Sequence, residues 1–155
     1  ALYDQSLNRM SESFVAQLTP GMSDRAYCEL LYDVAFGDSL YVPLQARLEK
    51  VIEHNVSVDS LIASKRHFLK QVDRIAAATA TAVDLDHAQS TEFIKTLGVL
   101  IVGVAGADLA PSLEGEDVPA DIQALLDSFA SKPIFVTNAH RILHGIRGIR
   151  AGDSD

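Results

Sequence analysis

One pair of polar side chains stands at a spacing that could support chemistry. His140 and His144 are four residues apart. On an α-helix, side chains four residues apart share one face, so this pair could present two donor atoms to one metal ion. His67 lies one turn before Gln71 on another predicted helix, away from the apolar side of that helix with Gln71 at its margin, so the geometry alone predicts an exposed or bordering histidine.

A metal site at the His140–His144 pair is not favoured. No acidic third ligand accompanies the two histidines, as it does in a His-Glu-x-x-His zinc site. Arg141 and Arg147 lie on the same side of the predicted helix, which is typical of a solvated face. Cys28 is the only cysteine, which excludes an intrachain disulfide and a cysteine-based zinc cluster. We predict no metal here and a buried, inert thiol.

Motifs for catalysis are missing from the chain. There is no Gly-x-Ser-x-Gly elbow and no Walker pattern, and no strand precedes the glycines of the Gly103–Gly106 segment. Among 21 acidic residues nothing selects a pair for acid–base catalysis. We predict that the protein is not an enzyme. The formal net charge of −8 further predicts that it has no nucleic-acid partner.

Turn-forming residues divide the chain into about seven helical segments. No alternating apolar and polar stretch predicts a strand. A length of 155 residues suits one domain. We therefore predict a single all-α domain over residues 1–155, with helices that enclose an apolar core or a ligand cavity. The predicted breaks are Thr19–Gly21, Gly37–Ser39, Asn55–Asp59, Val83–Asp84, Ala110–Pro119 and Ser131–Pro133.

Two consecutive helices are the clearest feature of the middle of the sequence, and the second of them is expected at the centre of the domain. The first begins at an N-cap at Asp59, and the second begins near Asp84 or Asp86. The second contains an uncharged apolar run from Thr96 to Ala107, which is shorter than the ~20 residues that span a bilayer. Because the run is apolar nearly all round, we predict that neighbours enclose it on several sides. Its glycines would admit a neighbouring helix or an apolar ligand.

Three segments resemble, in order and spacing, the peridinin–chlorophyll a proteins, which are water-soluble light-harvesting antennae of dinoflagellates. Pro43–Asp59 is similar to the helix and loop before that family's chlorophyll-bearing helix. Thr96–Val104 is similar to its Leu-Gly-bearing apolar helix, and Val118–Leu126 resembles its Val-Pro-Ala helix start. The chain lacks the family's Trp, and Arg66-His67 replaces its His-His pair. The length matches the short, dimer-forming members.

This resemblance implies an antenna that binds chlorophyll a and peridinin in an apolar helical cavity and transfers excitation energy. His67 or Gln71 would hold the water that ligates the chlorophyll magnesium, and Leu97, Ile101 and Val104 would contact pigment. The resemblance also implies a homodimer. It further implies a chloroplast protein of the thylakoid lumen, in peripheral contact with thylakoid membrane complexes.

Two other interpretations stay open at this point. Ser13–Pro43 and Ile62–Leu69 resemble helices of bacterial globins, but no histidine follows Leu97-Gly98 where a proximal haem ligand would stand. That resemblance implies a haem-free globin-like sensor or scaffold domain. The other interpretation is a pigment-free accessory subunit of a photosynthetic complex, which would use the same helices as packing surfaces.

Overall fold

Most of the predicted turns separate helices in the described part of the chain, but the predicted break at Ser131–Pro133 is wrong, because these residues form the first turn of a helix and the break falls at Phe129–Ala130. The computed structural model describes residues 2–47, 56–107, 113 and 115–149, and within them it contains seven α-helices and no strand. The prediction of one all-α domain with about seven helices is therefore confirmed. The helices are α1 Leu2–Gln17, α2 Asp24–Gly37, α3 Tyr41–Arg47, α4 Val58–Val83, α5 His87–Val104, α6 Ala120–Ser128 and α7 Ser131–Gly148.

Capping side chains set the bounds of the two longest central helices. Ser57 caps α4, so this helix begins before the predicted cap at Asp59. Asp84 ends α4 in the left-handed conformation, with φ of 54°, which a short polar side chain tolerates. Asp86 then caps α5 by accepting from the Gln89 N–H at 2.8 Å, and the Gln89 side chain accepts from the Asp86 N–H. The predicted start at Asp86 is confirmed.

The core lies where α1, α2, α5 and α7 converge. α4 and α5 form an antiparallel pair, α1 packs on α4, and α7 packs on α2 and α5. Each of the four converging helices contributes one fully buried aromatic ring: Phe14, Tyr27, Phe93 and Phe135. The Phe14 and Tyr27 rings meet edge to face with centroids 5.4 Å apart. Such edge-to-face contacts add to the stabilisation that comes from burial.

A buried hydrogen bond fixes the register of the α4–α5 pair. The Ser90 hydroxyl donates to the Ala76 carbonyl at 2.5 Å, and Ser90 is fully buried. The two helices are antiparallel. Five residues back from Ala76 along α4 is therefore level with five residues forward from Ser90 along α5. Gln71 and Lys95 therefore lie at the same level along the two helices.

The prediction that α5 is enclosed on several sides is wrong. Leu97, Ile101 and Val104 are at most 5% exposed, but Val99 is 75% exposed. The helices packed on α5 cover one side, and apolar side chains on the other side remain uncovered within the described ranges. Hydropathy alone does not indicate which sides of a helix have neighbours.

Cys28 of α2 has the burial, and the two histidines of α7 have the exposure, that the sequence predicts. Cys28 is fully buried, and its burial raises the pKa of the thiol to about 12, so the thiol stays protonated. His140 and His144 are both exposed on α7. Across the described ranges, no cluster of three His, Cys, Asp or Glu side chains is placed to hold a metal ion. No described helix combines the length and the apolar character that spanning a membrane requires.

An arginine near the end of α7 joins three helices. The Arg147 guanidinium donates to both carboxylate oxygens of Asp24, at 2.5 and 2.8 Å, and also to the Val83 carbonyl at the end of α4. This bidentate geometry is the strong form of a guanidinium–carboxylate ion pair. The hydrogen bond from Arg147 lowers the pKa of Asp24 below its ordinary value of 3.8. The contact ties the start of α2 to the ends of α4 and α7.

Replacing Asp24 by Asn should lower the free energy of unfolding by about 1 kcal/mol at neutral pH, a modest cost because the pair is partly exposed. A lowered folded-state pKa stabilises the fold above the ordinary pKa, and this contribution is lost as pH falls through the folded value. The gap between wild type and variant should therefore close below about pH 4. Urea unfolding across pH measures this gap. Asp33→Asn, at an exposed ion pair with Lys132, is the control. Equal effects at the two positions would contradict the assignment.

Candidate functional site

An open cavity of about 720 Å³ lies between α1, α3, α4 and α5. This volume falls within the range of about 300–1,000 Å³ that is typical of small-molecule sites. Most of the lining is aliphatic or aromatic. The lining residues are Leu7 and Met10 of α1, Tyr41, Gln45 and Ala46 of α3, Phe68, Gln71, Val72 and Ile75 of α4, and Ile94, Lys95, Gly98, Val99, Val102 and Gly103 of α5.

Two glycines keep the α5 side of the cavity open. A Cβ atom placed on Gly98 or Gly103 would meet no atom within 4 Å. No other described helix therefore uses these positions for close packing. The space expected beside the glycines of the uncharged run exists, and within this chain it belongs to the cavity at Gly98 and Gly103.

Neutral polar side chains line part of the cavity wall. Gln71 is 6% exposed, and its amide donates to the Asn8 side-chain oxygen at 2.9 Å. The Gln71 Oε1 atom is buried without a partner. On α3, the Gln45 amide oxygen accepts from the Tyr3 hydroxyl at 2.5 Å. Burial raises the pKa of Tyr41 to about 12, so this phenol stays neutral.

Lys95 is the one charged side chain among the described lining residues. It is exposed, and it forms no hydrogen bond or ion pair with any other described residue. The register of the α4–α5 pair places it level with Gln71 on the facing helix. Among the described lining residues, the cavity therefore has one cationic position and no acidic one.

The contact between α1 and α4 leaves several polar atoms unsatisfied. Ser64 donates to Asp4 and Gln71 donates to Asn8 along this contact. Ser11 Oγ and His67 Nε2 are buried without partners among the described residues. These atoms and Gln71 Oε1 are available to hydrogen-bond a group that is not part of the described chain.

The structure separates the residues that the sequence had grouped as ligand contacts. Gln71 lines the cavity, but His67, one turn earlier on α4, does not. Leu97, Ile101 and Val104 lie on the core side of α5 and not on the cavity wall.

Of the α5 residues that reach the cavity, the glycines were expected to provide space for a ligand, but Lys95, Val99 and Val102 were missed as contacts. Successive helical residues are turned by about 100°, so the neighbours of the predicted contacts face a different side. Lys95, Gly98 and Val102 form this wall. A signal for it was present in the chain: a lysine just before an uncharged run, followed by glycines at positions 98 and 103.

These features define an all-α domain with an open and largely apolar cavity. Residues 2–114 match the family model described as the tetracyclin repressor-like C-terminal domain. Because this match covers well over half of the 155 residues, the chain belongs to that family. It includes all four helices that line the cavity. No curated protein matches the chain significantly.

Membership of this family overturns the antenna interpretation. The likeness to peridinin–chlorophyll a proteins, the cofactors chlorophyll a and peridinin, and the thylakoid lumen location with its membrane contacts are wrong. The expected water-mediated magnesium ligation by His67 is withdrawn, because it depended on a bound chlorophyll. The globin-like and accessory-subunit alternatives do not match the family either. The likeness rested on short apolar helix segments, which any helical domain can contain.

Of the segments that carried the likeness to pigment proteins, Val118–Leu126 lies outside residues 2–114, and Pro43–Asp59 lies partly outside the described residues.

The expectation of no nucleic-acid partner conflicts with a family named after a repressor. The net charge of −8 argues only against DNA binding by the acidic surface of this chain.

Replacing Gly98 by Ala should raise the free energy of unfolding by about 0.5–1 kcal/mol, because glycine is unfavourable inside a helix and no atom opposes the new methyl group. Thermal or urea unfolding measures the change. Gly145→Ala, at an equally open position on α7, calibrates the expected gain. A destabilised Gly98→Ala protein beside a stabilised Gly145→Ala protein would show that Gly98 is needed for packing and not for space.

Proposed function

We propose that this domain is the ligand-binding part of a transcription regulator and that it performs no catalysis. A small molecule with an apolar body occupies the cavity and alters the state of the regulator on DNA. The observation that carries the proposal is the cavity of about 720 Å³ inside the segment that matches the repressor-like C-terminal domain. Domains with this kind of cavity bind ligands largely by removing apolar surface from water.

The element best placed to respond to a ligand is α1. Leu7 and Met10 of α1 line the cavity, so a bound molecule touches this helix directly. The contact of α1 with α4 leaves Ser11 Oγ and Gln71 Oε1 unpartnered. A ligand changes a conformational equilibrium only by binding two states unequally. A poorly satisfied contact beside the ligand is where two such states differ at low cost.

DNA contact is proposed to come from another part of the regulator. The chain has 21 acidic and 13 basic residues, so its surface repels phosphates on average. The family description refers to a C-terminal domain, which supports ligand binding and DNA binding by different domains of the regulator. A regulator of this kind works in the compartment that holds its DNA.

The neutral fluorophore Nile red should bind the wild-type protein, with enhanced and blue-shifted emission as it enters an apolar site. Gly98→Phe, which places a ring in the cavity mouth, should weaken this binding at least about tenfold, equivalent to about 1.4 kcal/mol. Gly145→Phe adds the same side chain at an open position away from the cavity and should bind like wild type. Fluorescence titration measures all three proteins. Absent wild-type binding, or equal loss in both variants, would contradict the proposal.

We also propose that two copies of the chain associate through α6. This helix takes part in none of the main helix–helix contacts of the described fold. Ile122 and Leu125 (48%) of α6 are exposed on one side, together with Phe129 (45%), which directly follows the helix. Exposed apolar clusters of this kind are typical of interaction sites. A two-fold arrangement buries the same surface on both copies and is the commonest form of self-association.

Leu125→Asp should convert the dimer to a monomer, because it places a charge in the middle of the apolar side of α6. Ala124→Asp introduces the same charge on the other side of the helix and should leave the dimer intact. Sedimentation velocity of the purified proteins distinguishes the two states. A monomeric wild-type protein, or a Leu125→Asp protein that stays dimeric, would contradict this assembly.

A further inference from the structure

We infer that the cavity takes an amphipathic organic anion, with its apolar body between α1, α4 and α5 and its charged head group at Lys95. This inference rests on the proposed function, because it names the ligand class of the same cavity. Three observations carry it: the charge of the lining, the level of Lys95 in the helix pair, and the space next to its side chain.

The charge of the lining favours an anion. Acidic residues outnumber basic ones by 21 to 13 in the chain, yet no described lining residue is acidic and one is basic. Lys95 has no ion-pair partner within the described ranges, and Glu92, one turn earlier on α5, forms no ion pair with it. Its ammonium group can therefore donate its hydrogen bonds to a ligand. A cationic ligand would meet this charge with repulsion.

The level of Lys95 places polar groups on both helices that flank the cavity. Gln71 faces it at the same level on α4. The Gln71 amide gives one hydrogen bond to Asn8, and an amide nitrogen has a second N–H to give. A head group with two or more acceptor oxygens, such as a carboxylate, matches the Lys95 ammonium and this amide N–H, whereas the unpartnered Gln71 Oε1 accepts only from a donor such as water.

The space next to Lys95 accommodates a head group. Gly98 lies one turn after Lys95 and has no side chain, and a Cβ there would meet nothing within 4 Å. Lys95 itself is exposed, so a head group beside it keeps contact with water and avoids most of the cost of burying a charge. The aliphatic tail would lie against Val72, Ile75 and Ile94 deeper in the cavity.

The test compares three probes that share one twelve-carbon tail: dodecanoate, dodecanol and dodecylammonium. Each is titrated below its micelle concentration into the protein loaded with Nile red, and displacement of the dye reports binding. Wild type should bind dodecanoate at least about tenfold more tightly than dodecanol, since charge-assisted hydrogen bonds are roughly twice as strong as neutral ones. Dodecylammonium should bind most weakly.

Charge reversal at the cavity wall provides the matched comparison. Lys95→Glu should reverse the order of the three probes, so that dodecylammonium binds most tightly. Lys70→Glu makes the same change of charge at an exposed position of α4 outside the cavity and should keep the wild-type order. A gain of binding for dodecylammonium also shows that the Lys95→Glu protein is folded.

The outcomes separate this inference from the proposed function. Equal binding of the three probes, or the wild-type order in Lys95→Glu, overturns the inference while Nile red binding still supports a ligand cavity. A wild-type protein that binds neither Nile red nor any probe overturns both.

Discussion

The structure depends on the rotation of α5 against α4, which the buried hydrogen bond from Ser90 to the Ala76 carbonyl fixes. In this register Phe93, Leu97 and Ile101 enter the core, while Lys95 and Gly98 face the cavity. A shift by one residue turns the helix by about 100°, which would move Lys95 toward the core and apolar side chains toward water. The core and the cavity wall are thus two consequences of a single helix orientation.

The stable and the open parts of the fold lie on different sides of this helix pair. On one side, Arg147 ties α7 to Asp24 of α2 and to the end of α4, and aromatic rings fill the space between the helices. On the other side, α1 and α3 cover α4 and α5 incompletely and leave about 720 Å³ unfilled. Protein interiors are normally close-packed, so the proposed ligand would fill a space that the described helices leave open. Two polar groups without a hydrogen-bond or ion-pair partner among the described residues, the Lys95 ammonium and the Gln71 amide oxygen, lie on the open side.

Turn chemistry made the helices predictable, whereas the cavity depended on facts that a sequence pattern does not contain. The cap at Asp86 and the turn at Pro20-Gly21 separate helices as local rules require. Of the ligand contacts that the resemblance implied, only Gln71 lines the cavity. Val99 was expected to be enclosed because it is apolar, but no described helix covers it. The likeness to pigment proteins failed for the same reason, since apolar helices with glycines suit many partners and do not identify one.

A crystal structure of the protein grown with dodecanoate shows where a ligand lies and what it contacts. We expect the aliphatic tail between α4 and α5, against Val72 and Ile75, with the carboxylate within hydrogen-bond distance of Lys95 Nζ. A carboxylate at Lys95 with an ordered tail in the cavity would support both the ligand site and its charge preference. A cavity closed by movement of α1, or a ligand found only on the exposed face of α6, would contradict this expectation.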